Sequence, residues 1–104
     1  MLRIYSFIIE TLRKIAPLIK RIAKHDADLA RQIRRAANSI ALNTAEGMGV
    51  SGGNERLRFR TALGSTRAVR CGLEISEAHG YIEVDAQLRD DLDRIAATLY
   101  RLTE

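Results

Sequence analysis

Apolar residues recur at three- and four-residue steps through nearly the whole chain, and no other feature restricts its fold so tightly. Ile4, Ile8, Leu12, Ile15, Ile19 and Ile22 share one helical face, while Arg3, Ser6, Glu10, Arg13, Lys14, Pro17, Lys20, Arg21 and Lys24 share the opposite one. The spacing predicts a helix over residues 3–25. Pro17 deprives the Arg13 carbonyl of its partner, but it stands on the polar stripe where water can satisfy that oxygen. A bent, continuous helix is therefore expected.

The pattern restarts three times. Residues 27–46 place Leu29, Ile33, Ala36, Ala37, Ile40 and Thr44 inward, with Asp26 as N-cap, Asp28 in the first turn and Gly47 as the C-terminal stop. Residues 54–79, capped by Asn54 or Ser51, carry Leu57, Phe59, Ala62, Leu63, Ala68, Val69, Cys71, Leu73 and Ile75 over so wide an arc that burial on more than one side is expected. Gly64, Ala68, Cys71 and Gly72 are small enough to admit another helix closely, and Gly80 ends the segment. Residues 84–103 turn Val84, Leu88, Leu92, Ile95, Leu99 and Leu102 inward behind an Asp85 cap, with Asp90, Asp91 and Asp93 on or beside the outer face. Short connections between four helices predict an all-α, antiparallel up-down-up-down bundle, a single domain over residues 1–104.

Composition narrows the setting. The opening segment is interrupted by Glu10 and has no small-residue cleavage site, so it is expected to be a mature helix. No apolar run approaches the roughly 18–20 residues that span a bilayer, and the single cysteine, Cys71, cannot form an internal disulfide. A cytoplasmic protein without a membrane segment is expected. The net charge of +4 is uneven: residues 1–25 carry +5, residues 26–48 none, residues 49–80 +2 and residues 81–104 −3. Such asymmetry suits either a basic surface for a polyanion or oppositely charged faces that meet between subunits.

Four of the seven glycines crowd into residues 47–53. Gly47 and Gly52 have the first spacing of a phosphate-binding loop, but the Lys-Ser/Thr pair is missing and the stretch follows a helix, so a nucleotide loop is not expected. Glu46, at the unfavourable negative end of a helix dipole, shares a face with Asn43, and the pair is expected to brace the turn by bonding loop amides or an arginine of helix three. His25 and His79 lack the tight ligand spacing of a metal site, and Cys71 reads as a core thiol. No catalytic constellation emerges; the chain is expected to be no enzyme and to need no cofactor or metal. Arg56, Arg60, Arg67 and Arg70 form the best candidate site, a guanidinium stripe able to track phosphates, with Arg13, Lys20 and Lys24 of helix one as further contacts.

The stretch from Gln32 to Tyr81 resembles a known family. Asn43-x-Ala45-Glu46-Gly47 followed by Ala62-Leu63-Gly64-Ser65, with Arg34, Arg35, Ser39, Arg58, Phe59 and a closing Gly80-Tyr81, is similar to the small bacterial four-helix bundle proteins encoded by intervening sequences of large-subunit ribosomal RNA genes. Their relatives include the accessory variability determinant of diversity-generating retroelements. The resemblance implies an antiparallel bundle assembled as a ring, commonly a homopentamer, without catalytic residues. For the retroelement branch it implies a basic ring surface that binds nucleic acid and a reverse transcriptase. Two functions follow as expectations. One is a homo-oligomeric adaptor that binds RNA or DNA, accessory to a mobile-element or defence-associated partner protein; the other is an assembly module in which Arg56, Arg60 and Arg67 pair with Asp90, Asp91 and Asp93 of a neighbouring subunit. The residues 48–53 carry no basic side chain, which directs the nucleic-acid expectation to helix one and the Arg56–Arg70 stripe.

Overall fold

The computed structural model describes residues 3–49 and 54–104. Four helices make up the fold: α1 (Arg3–Ala23), α2 (Ala27–Gly49), α3 (Asn54–Ala78) and α4 (Ala86–Leu102). Among the described residues there is no strand. The helices pack in the order α1, α2, α3, α4, and α4 returns to α1. The α2–α3 pairing is the tightest of the four and the α1–α4 pairing the loosest.

The isoleucine ladder of α1 behaves as its spacing predicts. Ile4, Ile8, Ile15, Ile19 and Ile22 are buried, Pro17 is exposed within an unbroken helix, and Leu12 yields its inward place to Thr11, whose hydroxyl donates to the Phe7 carbonyl at 2.9 Å. Asp26 caps α2, accepting the Leu29 N–H at 2.9 Å, and Asp85 caps α4, accepting the Leu88 N–H at 2.7 Å. The fourth helix thus begins after its cap and not at Val84, which is buried in the connection before it. Gly80 ends α3 as expected. Its φ of 78° lets its own N–H reach the Glu77 carbonyl at 2.9 Å while the Tyr81 N–H reaches that of Ser76, also at 2.9 Å, closing a Schellman motif.

Gly47 does not stop α2, which runs on to Gly49. It lies buried, and a Cβ there would fall 2.7 Å from Phe59 Cε1, so its missing side chain is what lets the Phe59 ring sit against the backbone. Within this chain no helix closes on Gly64, where a Cβ would meet nothing within 4 Å, whereas Gly72 admits the neighbouring α2, under Ile33. Ser51, the alternative cap of α3, lies outside the described residues.

Helix α3 departs most from expectation. Phe59, Ala62, Leu63, Val69 and Leu73 are buried, but Leu57, Ala68, Cys71 and Ile75 are exposed, so Cys71 is a surface thiol and not a core one. Leu57, Thr61, Gly64, Ala68, Cys71 and Ile75 follow one another at alternating steps of four and three, and every one of them faces outward. The inner face of α3 is used by this chain and its outer stripe is left uncovered.

Buried hydroxyls mostly satisfy themselves within their own helices, as Thr66 does with Ala62 and Ser76 with Gly72, both at 2.8 Å. Thr44 Oγ1 is the exception among the described residues, fully buried with no partner. Thr44→Val keeps the shape and removes the unpaired hydroxyl, so chemical denaturation is expected to find it unchanged or up to about 1 kcal/mol more stable.

Candidate nucleic-acid interface

Several residues that carry the family resemblance, Ser39, Asn43, Glu46, Gly47, Arg58, Phe59 and Ser65, meet at the α2–α3 seam. Asn43 Nδ2 donates to the Ser39 carbonyl at 3.0 Å and to Ser39 Oγ at 2.9 Å, and Ser65 Oγ closes the bridge to Ser39 Oγ at 2.7 Å. Three helical turns are thereby linked across two helices. Glu46 Oε2 stands 3.7 Å from Arg58 Nε of α3, so the carboxylate at the end of α2 braces an arginine of the next helix, one of the two roles its position suggested. With Gly47 seated under Phe59, these signature residues have structural roles in the seam.

The arginine stripe divides in two. Arg56, Arg60 and Arg67 are exposed and take part in no salt bridge among the described residues. Arg70 is already engaged, its Nη1 2.6 Å from Asp93 Oδ1 of α4 in the same chain. Arg13 stands 3.6 Å from Glu10 one turn before it, an exposed pair of little strength.

Lys20 and Lys24 are exposed and without salt bridges among the described residues, and Lys20 lines a groove of about 280 Å³ between α1 and α2 together with Arg34 and Asn38. Arg34 and Arg35 on the outer face of α2 were absent from the site expected from sequence. Their signal was available, since both fall on the polar side of the α2 repeat facing away from Ile33, Ala37 and Ile40. What the sequence lacked was the packing of α2 beside α1, which sets Arg34 next to Lys20.

Two of the three acids of α4, Asp91 and Asp93, are committed within the chain. Asp91 was expected near the outer face but is buried, 2% exposed, because it falls on the inward stripe between Leu88 and Ile95. Lys14 Nζ donates to its Oδ2 at 2.7 Å and Gln87 Nε2 to its Oδ1 at 2.9 Å. Burial pushes the Asp91 carboxyl up, but these two hydrogen bonds and the Lys14 and Arg94 charges outweigh it and hold the group below the usual carboxylate range. Glu77 is also held low, first by the Val84 N–H at 3.0 Å and then by Arg89, whose Nη2 lies 2.8 Å from Oε1. Three lateral ion pairs, Lys14–Asp91, Arg70–Asp93 and Arg89–Glu77, therefore tie α4 to its two neighbours.

His25 and His79, distant in sequence, are brought together on Tyr81. The His25 and Tyr81 rings lie 4.8 Å apart at 2°, and the His79 and Tyr81 rings 5.1 Å apart at 20°. Among the described residues, no three side chains of the His, Cys, Asp or Glu type are grouped to hold a metal ion. No helix there is long and apolar enough to cross a membrane.

Fold and surface together define an all-α, four-helix protein with a knitted α2–α3 seam and several exposed cations that lack acidic partners among the described residues. The chain belongs to the 23S rRNA-intervening sequence protein family, whose model matches residues 1–101. Comparison with curated proteins and with solved structures gave no match.

Proposed function

We propose that the chain is a non-enzymatic, self-assembling helical adaptor of the cytoplasm that binds nucleic acid through a basic surface. The observation that carries this proposal is the imbalance of pairing: Lys20, Lys24, Arg34, Arg56, Arg60 and Arg67 have no acidic partner among the described residues, whereas Asp91, Asp93 and Glu77 are held within the chain. Cations left over after internal pairing are the ones able to displace counterions from phosphates. Arg70, held by Asp93, drops out of the interface expected from sequence, Arg13 stays in it because its exposed Glu10 pair is weak, and Arg34 joins it.

The bundle is taken as antiparallel, supported by contacts that run in opposite senses along facing helices: Ile33 with Gly72, Ser39 with Ser65, and Gly47 with Phe59. Self-assembly is supported by the outward stripe from Leu57 to Ile75, whose four-three spacing suits a partner helix and whose small central residues permit close approach. A ring, with the homopentamer as its implied form, accommodates it. The rival arrangement, in which Arg56, Arg60 and Arg67 pair with Asp90, Asp91 and Asp93 of a neighbour, would have to break the Lys14 and Arg70 pairs to use Asp91 and Asp93, which leaves the exposed Asp90 as its one uncommitted acid among the described residues.

Two double variants separate assembly from binding. Lys20→Glu/Arg34→Glu is expected to weaken oligonucleotide binding at least tenfold at low salt while light scattering finds the assembly intact. Leu57→Glu/Ala68→Glu is expected to leave folded, dissociated subunits. Dissociation by Arg60→Glu/Arg67→Glu with unchanged nucleic-acid affinity would instead establish the protein-binding module.

A further inference from the structure

The stacked rings of His25, Tyr81 and His79 join the link between α1 and α2 to the turn that follows α3. Tyr81 is half-buried, but both histidines are exposed, so the imidazoles present ring surface to solvent. Lys24 precedes His25, and Arg21 lies one turn back on α1; neither takes part in a salt bridge among the described residues. Most acids near this end are engaged locally. Asp26 and Asp85 accept the helix-capping N–H groups of Leu29 and Leu88, Asp28 faces Arg31 and Gln32, and Glu77 holds Val84 and Arg89. Glu83 and, further along α3 and α4, Glu74 and Asp90 are exposed without such a contact among the described residues.

We infer that this aromatic stack is a docking site for an unpaired nucleobase, so that the bound nucleic acid is single-stranded where it meets the end of the bundle. This rests on the nucleic-acid function proposed above and goes further in naming the strand form and the place. A base laid on an exposed imidazole continues a ladder of parallel rings already formed, at little ordering cost, while Lys24 and Arg21 reach the flanking phosphates. Bases inside a duplex are already stacked on both faces and cannot enter. A staple needed only to hold two connections together would call for neither exposed imidazoles nor unpaired cations beside them.

The test compares fluorescence anisotropy of a labelled single-stranded oligonucleotide with that of an abasic strand of equal length and charge. The base-bearing strand is expected to bind wild-type protein about tenfold more tightly. His25→Ala/His79→Ala is expected to abolish that preference while leaving abasic affinity unchanged, with circular dichroism reporting intact helices. Equal wild-type affinity for the two strands would overturn the inference whatever the folding of the variant, and so would a preference that survives in a folded variant. Failure of every strand to bind at low salt would overturn the nucleic-acid function itself, a distinct result.

Discussion

Gly72→Val is expected to lower stability by about 3 kcal/mol, because the site has no room for even one carbon. A Cβ at Gly72 would stand 2.5 Å from Ile33 Cγ1 and 3.0 Å from Cδ1, and Ile33 is itself buried to 2% exposure. The neighbour cannot swing into solvent, so α2 and α3 must move apart. Alanine at the same position gains about 1 kcal/mol of helix propensity against roughly 1–3 kcal/mol of overpacking, so a smaller loss is expected. Gly64→Ala is the control, since open space surrounds it and only the propensity gain of up to about 1 kcal/mol remains. Urea denaturation should thus give opposite signs for two glycines eight residues apart; equal effects would contradict the seam described here.

Lys14→Met is expected to destabilise the protein far more than its exposed position suggests. The lysine side chain is half exposed, but the carboxylate it serves is not, and losing the ammonium leaves Asp91 buried with Gln87 as its remaining hydrogen-bond partner among the described residues. An uncompensated buried carboxylate costs about 2 kcal/mol or more. Adding Asp91→Leu should recover most of the loss, because the buried charge disappears. The pH dependence also changes sign. In the wild-type chain the folded Asp91 pKa lies below its unfolded value, so its stabilisation is present above about pH 4 and is lost as pH falls through the native value. In Lys14→Met, with the Lys14 hydrogen bond and charge gone and only Gln87 and Arg94 opposing it, burial is expected to dominate and the folded pKa to rise. Its contribution is then fully present below the unfolded pKa and fades as pH rises, so stability should increase on acidification from neutrality towards pH 4.

The helices were legible in the sequence because a repeat of three and four is a one-dimensional record of burial. Gly80 was legible because a left-handed residue after a helix has a local cause. Gly47 was not, since a glycine that ends a helix and one that admits a phenyl ring look the same until Phe59 is placed. Leu57, Cys71 and Ile75 failed for a related reason: periodicity marks an apolar face but does not say whether the chain's own helices cover it. Arg70 and Asp93 lie 23 positions apart, and their pairing depends on the packing of α3 against α4. Asp91 could have been found, for it sits three residues after Leu88 and four before Ile95, squarely on the apolar stripe.

The most direct measurement is oligonucleotide affinity against salt concentration for the wild-type protein. Each phosphate contact on a single strand contributes a slope of about −0.7 to log affinity against log salt, so engagement of four or more of the unpaired cations should give about −3 or steeper. Absence of binding at low ionic strength, or affinity indifferent to salt, would contradict a basic nucleic-acid surface on this bundle.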